Sequence, residues 1–264
     1  MFRRWFFISL ILIVIGSLSC SKHNRVLKSN DNDLKYEMAI DLYEKGDYYR
    51  SQQLLDQLMA VFRGDERLEM VNYYYAYVYF KQEDYLLASY YFKRFAQNYP
   101  SSPRAEECMF MNAYCYYLDS PRYSLDQTNT LEAIKEMQLF VNMYPASDSV
   151  PRCNNIMDEL RGKLERKAIE IGKQYYKTRR YKAAITSLEN VLDNYPETQN
   201  QEEILYFIMK SYYYYAENSV DEKQDERYQR AVEVYDDIMY LFPETRYQRE
   251  LNAMKENAMD ALAN

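Results

Sequence analysis

Residues 34–262 place apolar side chains at three- and four-residue steps, the period of amphipathic helices, and they do so in copies. Ala88, Ala133, Ala184 and Ala231 each stand twelve residues before a proline, respectively Pro100, Pro145, Pro196 and Pro243. An aromatic residue precedes each of those prolines: Tyr99, Tyr144, Tyr195 and Phe242. Four residues after each alanine comes a large side chain: Phe92, Met137, Leu188 or Tyr235. GDYYRSQQLLDQLMAVF carries the same theme upstream through Tyr48, Ser51 and Leu55, without the closing proline. Small residues also recur earlier in each copy, as Ala39, Ala76, Ala113, Gly172 and Ser211. A small residue lets one helix approach another closely, and the large one fills the gap to the next pair. Proline cannot continue the hydrogen-bond ladder and ends the second helix. The pattern predicts five helix-turn-helix hairpins.

Small-x3-large closed by proline is the tetratricopeptide pattern. The expected fold class is all-α, a tetratricopeptide-repeat solenoid of five repeats, with ETRYQRELNAMKENAMDALAN as a C-terminal capping helix. The first and second small positions lie twelve residues apart in repeats one, two and four, and twenty apart in repeats three and five. The extra residues fall in LDSPRYSLDQTNT and AENSVDEKQDERY, which read as enlarged hairpin loops. PRCNNIMDELRGKLERKA should lengthen the first helix of repeat four by several turns and offers a place for the superhelix to change direction.

The N-terminus follows different rules. MFRRWFFISLILIVIGSLSC sets two arginines before an apolar run from Trp5 to Ile15, then small residues, then Cys20. The run is short for a membrane span, and its basic start is that of a secretory signal. Cys20 after the small residues resembles a bacterial lipobox, although Ser17 stands where leucine is commonest. The expected segments are 1–19 signal peptide, 20–33 lipidated polar tether, 34–148 repeats one to three, and 149–262 long helix, repeats four and five and capping helix. The covalent lipid on Cys20 would anchor the chain to a membrane, each buried methylene contributing about 0.8 kcal/mol. No other cofactor is expected.

Composition narrows the chemistry. Lys and Arg number 33 against 40 Asp and Glu, and a net charge of -7 gives phosphate backbones no general attraction, so nucleic acid is not the expected partner. The one histidine, His23, lies in the expected tether without an organised carboxylate or thiolate beside it, so neither a metal site nor His-based catalysis is expected. Cys108 and Cys115 are seven apart in a helical stretch, about 10 Å along the axis and too far for a bridge, and read as packing residues. Glu106-Glu107 and Asp236-Asp237 read as solvated helix charges. No catalytic residue is assigned, and the chain is not expected to be an enzyme.

The unusual count is 31 Tyr. With the small residue of each first helix taken as position eight, positions five, nine and twelve face the concave groove of a tetratricopeptide superhelix. They are Tyr36, Ile40 and Tyr43 in repeat one, Tyr73, Tyr77 and Phe80 in repeat two, and Phe110, Tyr114 and Tyr117 in repeat three. Two readings stand: a groove for an extended apolar or aromatic peptide, or the packing tyrosines of a Tyr-rich chain, like Tyr75, Tyr79 and Tyr116. Clamps that hold a peptide carboxylate need Lys and Asn where Tyr36 and Ile40 stand, which disfavours a receptor of that type.

Cys20, the tether, five repeats, FKRFAQNYPSSPRAEECMFMNAYCYY and KAIEIGKQYYKTRRYKAAITSLENVLDNYPET together resemble the BamD family of outer-membrane β-barrel assembly lipoproteins. The resemblance implies a non-enzymatic protein anchored in the outer membrane and facing the periplasm. It further implies contact with the POTRA-bearing barrel subunit and recognition of unfolded outer-membrane protein clients. Ser187 and Thr186 stand where that family would use charged interface residues. The alternative is a tetratricopeptide lipoprotein acting as a pilotin or as an envelope or secretion scaffold.

Overall fold

A computed structural model describes residues 22–263; the signal-peptide expectation and Cys20 lie outside them. Among the described residues the chain is helical: α1 (22–27), α2 (Asn32–Glu44), α3 (Tyr48–Val61), α4 (Arg67–Lys81), α5 (Tyr85–Asn98), α6 (Ala105–Leu118) and α7 (Thr128–Met143) come first. They are followed by α8 (Val150–Lys177), α9 (Tyr181–Asn194), α10 (Gln201–Glu217), α11 (Asp221–Leu241) and α12 (Gln248–Leu262). Helices α2 to α11 pair off as the five expected hairpins, and α12 caps them. No helix among the described residues is long and apolar enough to cross a membrane.

Local sequence explains the hairpin ends. Asp31, Asp47 and Asp84 cap α2, α3 and α5, their carboxylates accepting from the backbone N–H of Leu34, Arg50 and Leu87 at 2.9, 3.3 and 3.2 Å. The turns before α3 and α5 pass through the left-handed region at Gly46 (φ 79°) and Glu83 (φ 62°). The small positions bring the helices together: Ala39, Ala76, Ala113, Ser51, Ala88, Ala133, Ala184, Ser211 and Ala231 are all fully buried. Ser51 donates its hydroxyl to the Ala39 carbonyl at 2.8 Å, tying α3 to α2. At Gly172 a β-carbon would come within 2.5 Å of Leu188 Cδ2, so the α8–α9 crossing needs glycine.

The described chain divides into two compact units. The first comprises 22–121 and 126–158, the second 122–125 and 159–263. The division falls inside α8, where 148/149 was expected, because the first turns of α8 bury Cys153, Ile156 and Met157 as part of the first unit. In the first unit a core of Ala39, Leu54, Leu55, Leu58, Phe62, Val71 and Val78 runs through repeats one and two. A polar knot lies under repeat three: Glu136 of α7 accepts from Lys93 Nζ of α5 at 2.7 Å and from Asn112 Nδ2 of α6 at 2.6 Å. Asn112 Oδ1 is buried without a partner. In the second unit, Leu188, Ile204, Met209, Ile238 and Leu251 form the core. The second unit also takes in the α7-side loop tip, where Lys167 Nζ donates to the Leu125 carbonyl at 2.5 Å and Arg166 stacks 4.3 Å from the Tyr123 ring centre.

Two expectations are corrected. The segment 22–33 is no featureless tether: α1 buries Val26, and His23 is 4% exposed with Nε2 3.3 Å from the Arg50 carbonyl oxygen. Val26 supplies the apolar contact that a composition-based reading of this polar stretch overlooks. The insertion in repeat five is no enlarged loop. DEKQDERYQR lacks Gly and Pro and opens with Asp221 and Glu222, so it extends α11 to 21 residues and leaves only 218–220 between the helices. The corresponding insertion in repeat three, which contains Pro121, does remain a loop over 119–127.

Candidate functional site

The aromatic positions of the first helices all lie in the first unit, and the structure gathers them into two groups. Tyr43 of α2 packs edge-on against Tyr74 of α4 with ring centres 5.1 Å apart, and Tyr74 meets Tyr73 at 5.8 Å. Tyr73 lies 4.9 Å from Tyr77, and Tyr77 continues to Phe80 at 6.2 Å and to the buried Phe92 at 4.8 Å. In α6, Phe110, Tyr114 and Tyr117 form a stack with successive centres 5.7 Å apart. Tyr36 stands aside from both groups, packed on Phe62 at 6.2 Å.

The two groups are linked through a carboxylate. Glu107, one turn before Phe110 on α6, accepts hydrogen bonds from the phenols of Tyr73 (3.1 Å) and Tyr77. Glu107 is exposed on its helix, as expected of a solvated charge, and in addition takes these two phenols. Arg104 and Arg152 add cations to the face, with Arg104 5.4 Å from the Tyr73 ring centre and Arg152 4.5 Å from that of Tyr114. Sequence reasoning missed Glu107, Tyr74, Arg104 and Arg152. Only Tyr74 carried a signal, as a member of the run Tyr73-Tyr74-Tyr75.

Burial sets these rings apart from Tyr75 but not from Tyr79 and Tyr116, which are half-buried like them. Tyr75, on the opposite side of α4, is 5% exposed and gives its phenol to Asp56, while Tyr79 stacks on Tyr91 at 5.2 Å. Tyr36, Tyr43, Tyr73, Tyr77, Phe80, Tyr114 and Tyr117 are half-buried, each leaving part of its ring open, and Phe110 alone is buried. Rigid half-exposed rings offer apolar area at little cost in side-chain entropy, and their phenols meet backbone groups. Nothing here supplies a nucleophile: Cys108, Cys115 and Cys153 are free but buried, and burial pushes the Cys115 and Cys153 thiols up to about 12 and about 11. Among the described residues no group of His, Cys, Asp and Glu is placed to hold a metal ion.

Burial, followed by the Glu107 charge, pushes the Tyr73 phenol up to about 12; burial and then the neighbouring Tyr48 do the same to Tyr43. Tyr77 moves in the same direction through burial and its hydrogen bond to Glu107. A raised folded-state value means that the stabilisation is complete below the unfolded value of about 10 and is lost as pH rises through about 12. Tyr73→Phe should therefore lose less stability than the parent between those pH values, read as the difference in denaturant midpoint; equal losses would remove Tyr73 from this account.

Comparison with known proteins gives the family. The model of the family YfiO, described as outer membrane lipoprotein, matches residues 28–227. A curated relative from Caulobacter vibrioides, named outer membrane protein assembly factor BamD, is 26% identical over 119 residues, 45% of this chain and 39% of that protein. One of the same name from Rickettsia prowazekii is 25% identical over 195 residues, 70% of this chain and 76% of that protein. Among solved structures, one described as the TPR2AB-domain:pHSP90-complex of yeast Sti1 is similar at a TM-score of 0.39 and 10% identity, covering 86% of this chain and 98% of that one. The family match spans most of the repeat region, which bears out the resemblance to BamD, and the chain belongs to the YfiO family of outer membrane lipoproteins.

Proposed function

We propose that the chain is a non-enzymatic, lipid-anchored scaffold of outer-membrane protein assembly. In this reading it is held by Cys20 on the periplasmic face, docks to the POTRA-bearing barrel subunit and presents its first three repeats to unfolded outer-membrane proteins. Family membership and the names of the relatives support the assembly role. The observation that carries the client-binding part is the half-buried face of Tyr43, Tyr73 and Tyr77, with Glu107 leading on to Phe110 and Tyr114. Three or four ring anchors contributing roughly 1.5 to 3 kcal/mol each, less ordering costs, give micromolar binding suited to a client that must be released.

A mild-detergent pull-down of the tagged full chain should recover a POTRA-bearing barrel protein in stoichiometric amount. Recovery of a secretin or pilus component instead would move the chain to the pilotin or secretion-scaffold reading. Tyr77→Ala with Tyr114→Ala should weaken crosslinking to aromatic C-terminal peptides of barrel clients by about tenfold or more while helical circular dichroism is retained. Unchanged crosslinking would return both residues to packing.

A further inference from the structure

The turn between α8 and α9 breaks the rule kept by the corresponding turns of repeats one and two. There the left-handed position is Gly46 or Glu83, and the capping position that follows is Asp47 or Asp84. In repeat four the left-handed residue is Arg179 (φ 59°), and the capping position is Arg180, whose side chain makes no capping hydrogen bond. A β-carbon in that conformation is costly, and the first turn of a helix favours acidic groups over the cations found here. Lys177, Arg179, Arg180 and Lys182 are all exposed, and none has an ion-pair partner among the described residues. This concentration of positive charge sits in a chain of net charge -7.

Three of these four cations border an open concave space. Arg179, Arg180 and Lys182 line a hollow of about 640 Å³ with Tyr181, Tyr215 and Asn218. Arg227 stacks on the Tyr215 ring at 3.7 Å, and Tyr181 stacks on Tyr214 at 5.7 Å, so the aromatic walls are braced. Guanidinium groups pair with carboxylates in two-pronged fashion, and the phenols and the amide offer further hydrogen bonds.

We propose that this hollow is a docking site for an acidic segment of a partner protein. Charge complementarity selects the occupant, and the surroundings favour a chain segment over a membrane. A concave space of this size admits a short extended segment, whereas a flat bilayer surface does not enter it. The site belongs to the second unit and does not depend on the aromatic face of the first.

The test uses the full chain in detergent, a fluorescent peptide of alternating Asp and Tyr, its Asn-for-Asp counterpart, and the double variant Arg179→Gly with Arg180→Asp. That variant restores the glycine and the capping aspartate found in repeat one, so folding should be kept or improved while the charge is removed. The acidic peptide should bind the parent, the Asn peptide should not, and the variant should bind the acidic peptide at least about tenfold more weakly. Binding should also fall between about 0.05 and about 0.3 M salt. The variant's melting temperature should be equal to or above the parent's. Equal affinity in the variant overturns the proposal. So does parent binding to phosphatidylglycerol vesicles that falls in the variant while the peptide stays unbound, or self-association that is lost in the variant in place of peptide binding.

Discussion

Lys93→Met should destabilise the first unit by about 3 kcal/mol, the lower end of what removing one partner of a buried ion pair costs. The side chain of Glu136 is only 3% exposed, and Lys93 pairs with it at 2.7 Å. Methionine keeps most of the apolar stem of Lys93 and removes the charge, which leaves the buried carboxylate with the Asn112 amide still donating to it. The full penalty is moderated because the Lys93 side chain is itself 37% exposed, so water can replace part of what the ammonium supplied. Adding Glu136→Gln should recover all but about 1 kcal/mol. The new amide carries no charge, still accepts from Asn112 Nδ2, and brings an N–H toward Asn112 Oδ1, which now lacks a partner. Denaturant midpoints of the parent, both single variants and the double variant decide the matter. A double variant as unstable as Lys93→Met would show that the knot does not act through the Glu136 charge.

Leu188→Ala should cost about 2 to 5 kcal/mol, because a fully buried leucine is removed from the seam between α8 and α9. Gly172→Ala should cost about 1 to 2 kcal/mol at the same seam, although alanine is the better helix former by about 1 kcal/mol. Its β-carbon would lie 2.5 and 2.6 Å from Leu188 Cδ2 and Cγ, a distance at which the leucine must move, and its burial gives it little room. The two changes relieve one another, since the alanine methyl enters space that the shortened side chain vacates. The double variant should be more stable than the sum of the single costs by at least about 1 kcal/mol. Additive costs would place the clash elsewhere. The same sixteen-residue spacing of small and large residues recurs in other repeats as Ala76 with Phe92 and Ala39 with Leu55, all fully buried.

The aromatic face was legible in part. Counting from the small residue of each first helix selected Tyr43, Tyr73, Tyr77, Phe80, Phe110, Tyr114 and Tyr117, and the structure groups them, because a helix fixes which positions share a side. The same count selected Tyr36, which packs instead on Phe62 beside the Arg67 guanidinium, 4.1 Å from that ring. Position alone did not show that Glu107, thirty residues beyond Tyr77, would take the phenol hydrogen bonds. Neither did it bring Arg152 over Tyr114, since both pairings depend on how successive hairpins stack.

The sequence by itself determined the five hairpins, their register, the capping helix and the lengthened α8, because helical period, capping aspartates and helix-ending prolines act over a few neighbouring residues. Tertiary structure alone decided the Lys93–Glu136–Asn112 knot, the burial of His23 and Val26, and the group of tyrosines gathered by Glu107. It also showed that the insertion of repeat five continues α11 as helix. These outcomes depend on side chains that are distant in sequence, and their energies exist only once the helices have been packed against one another.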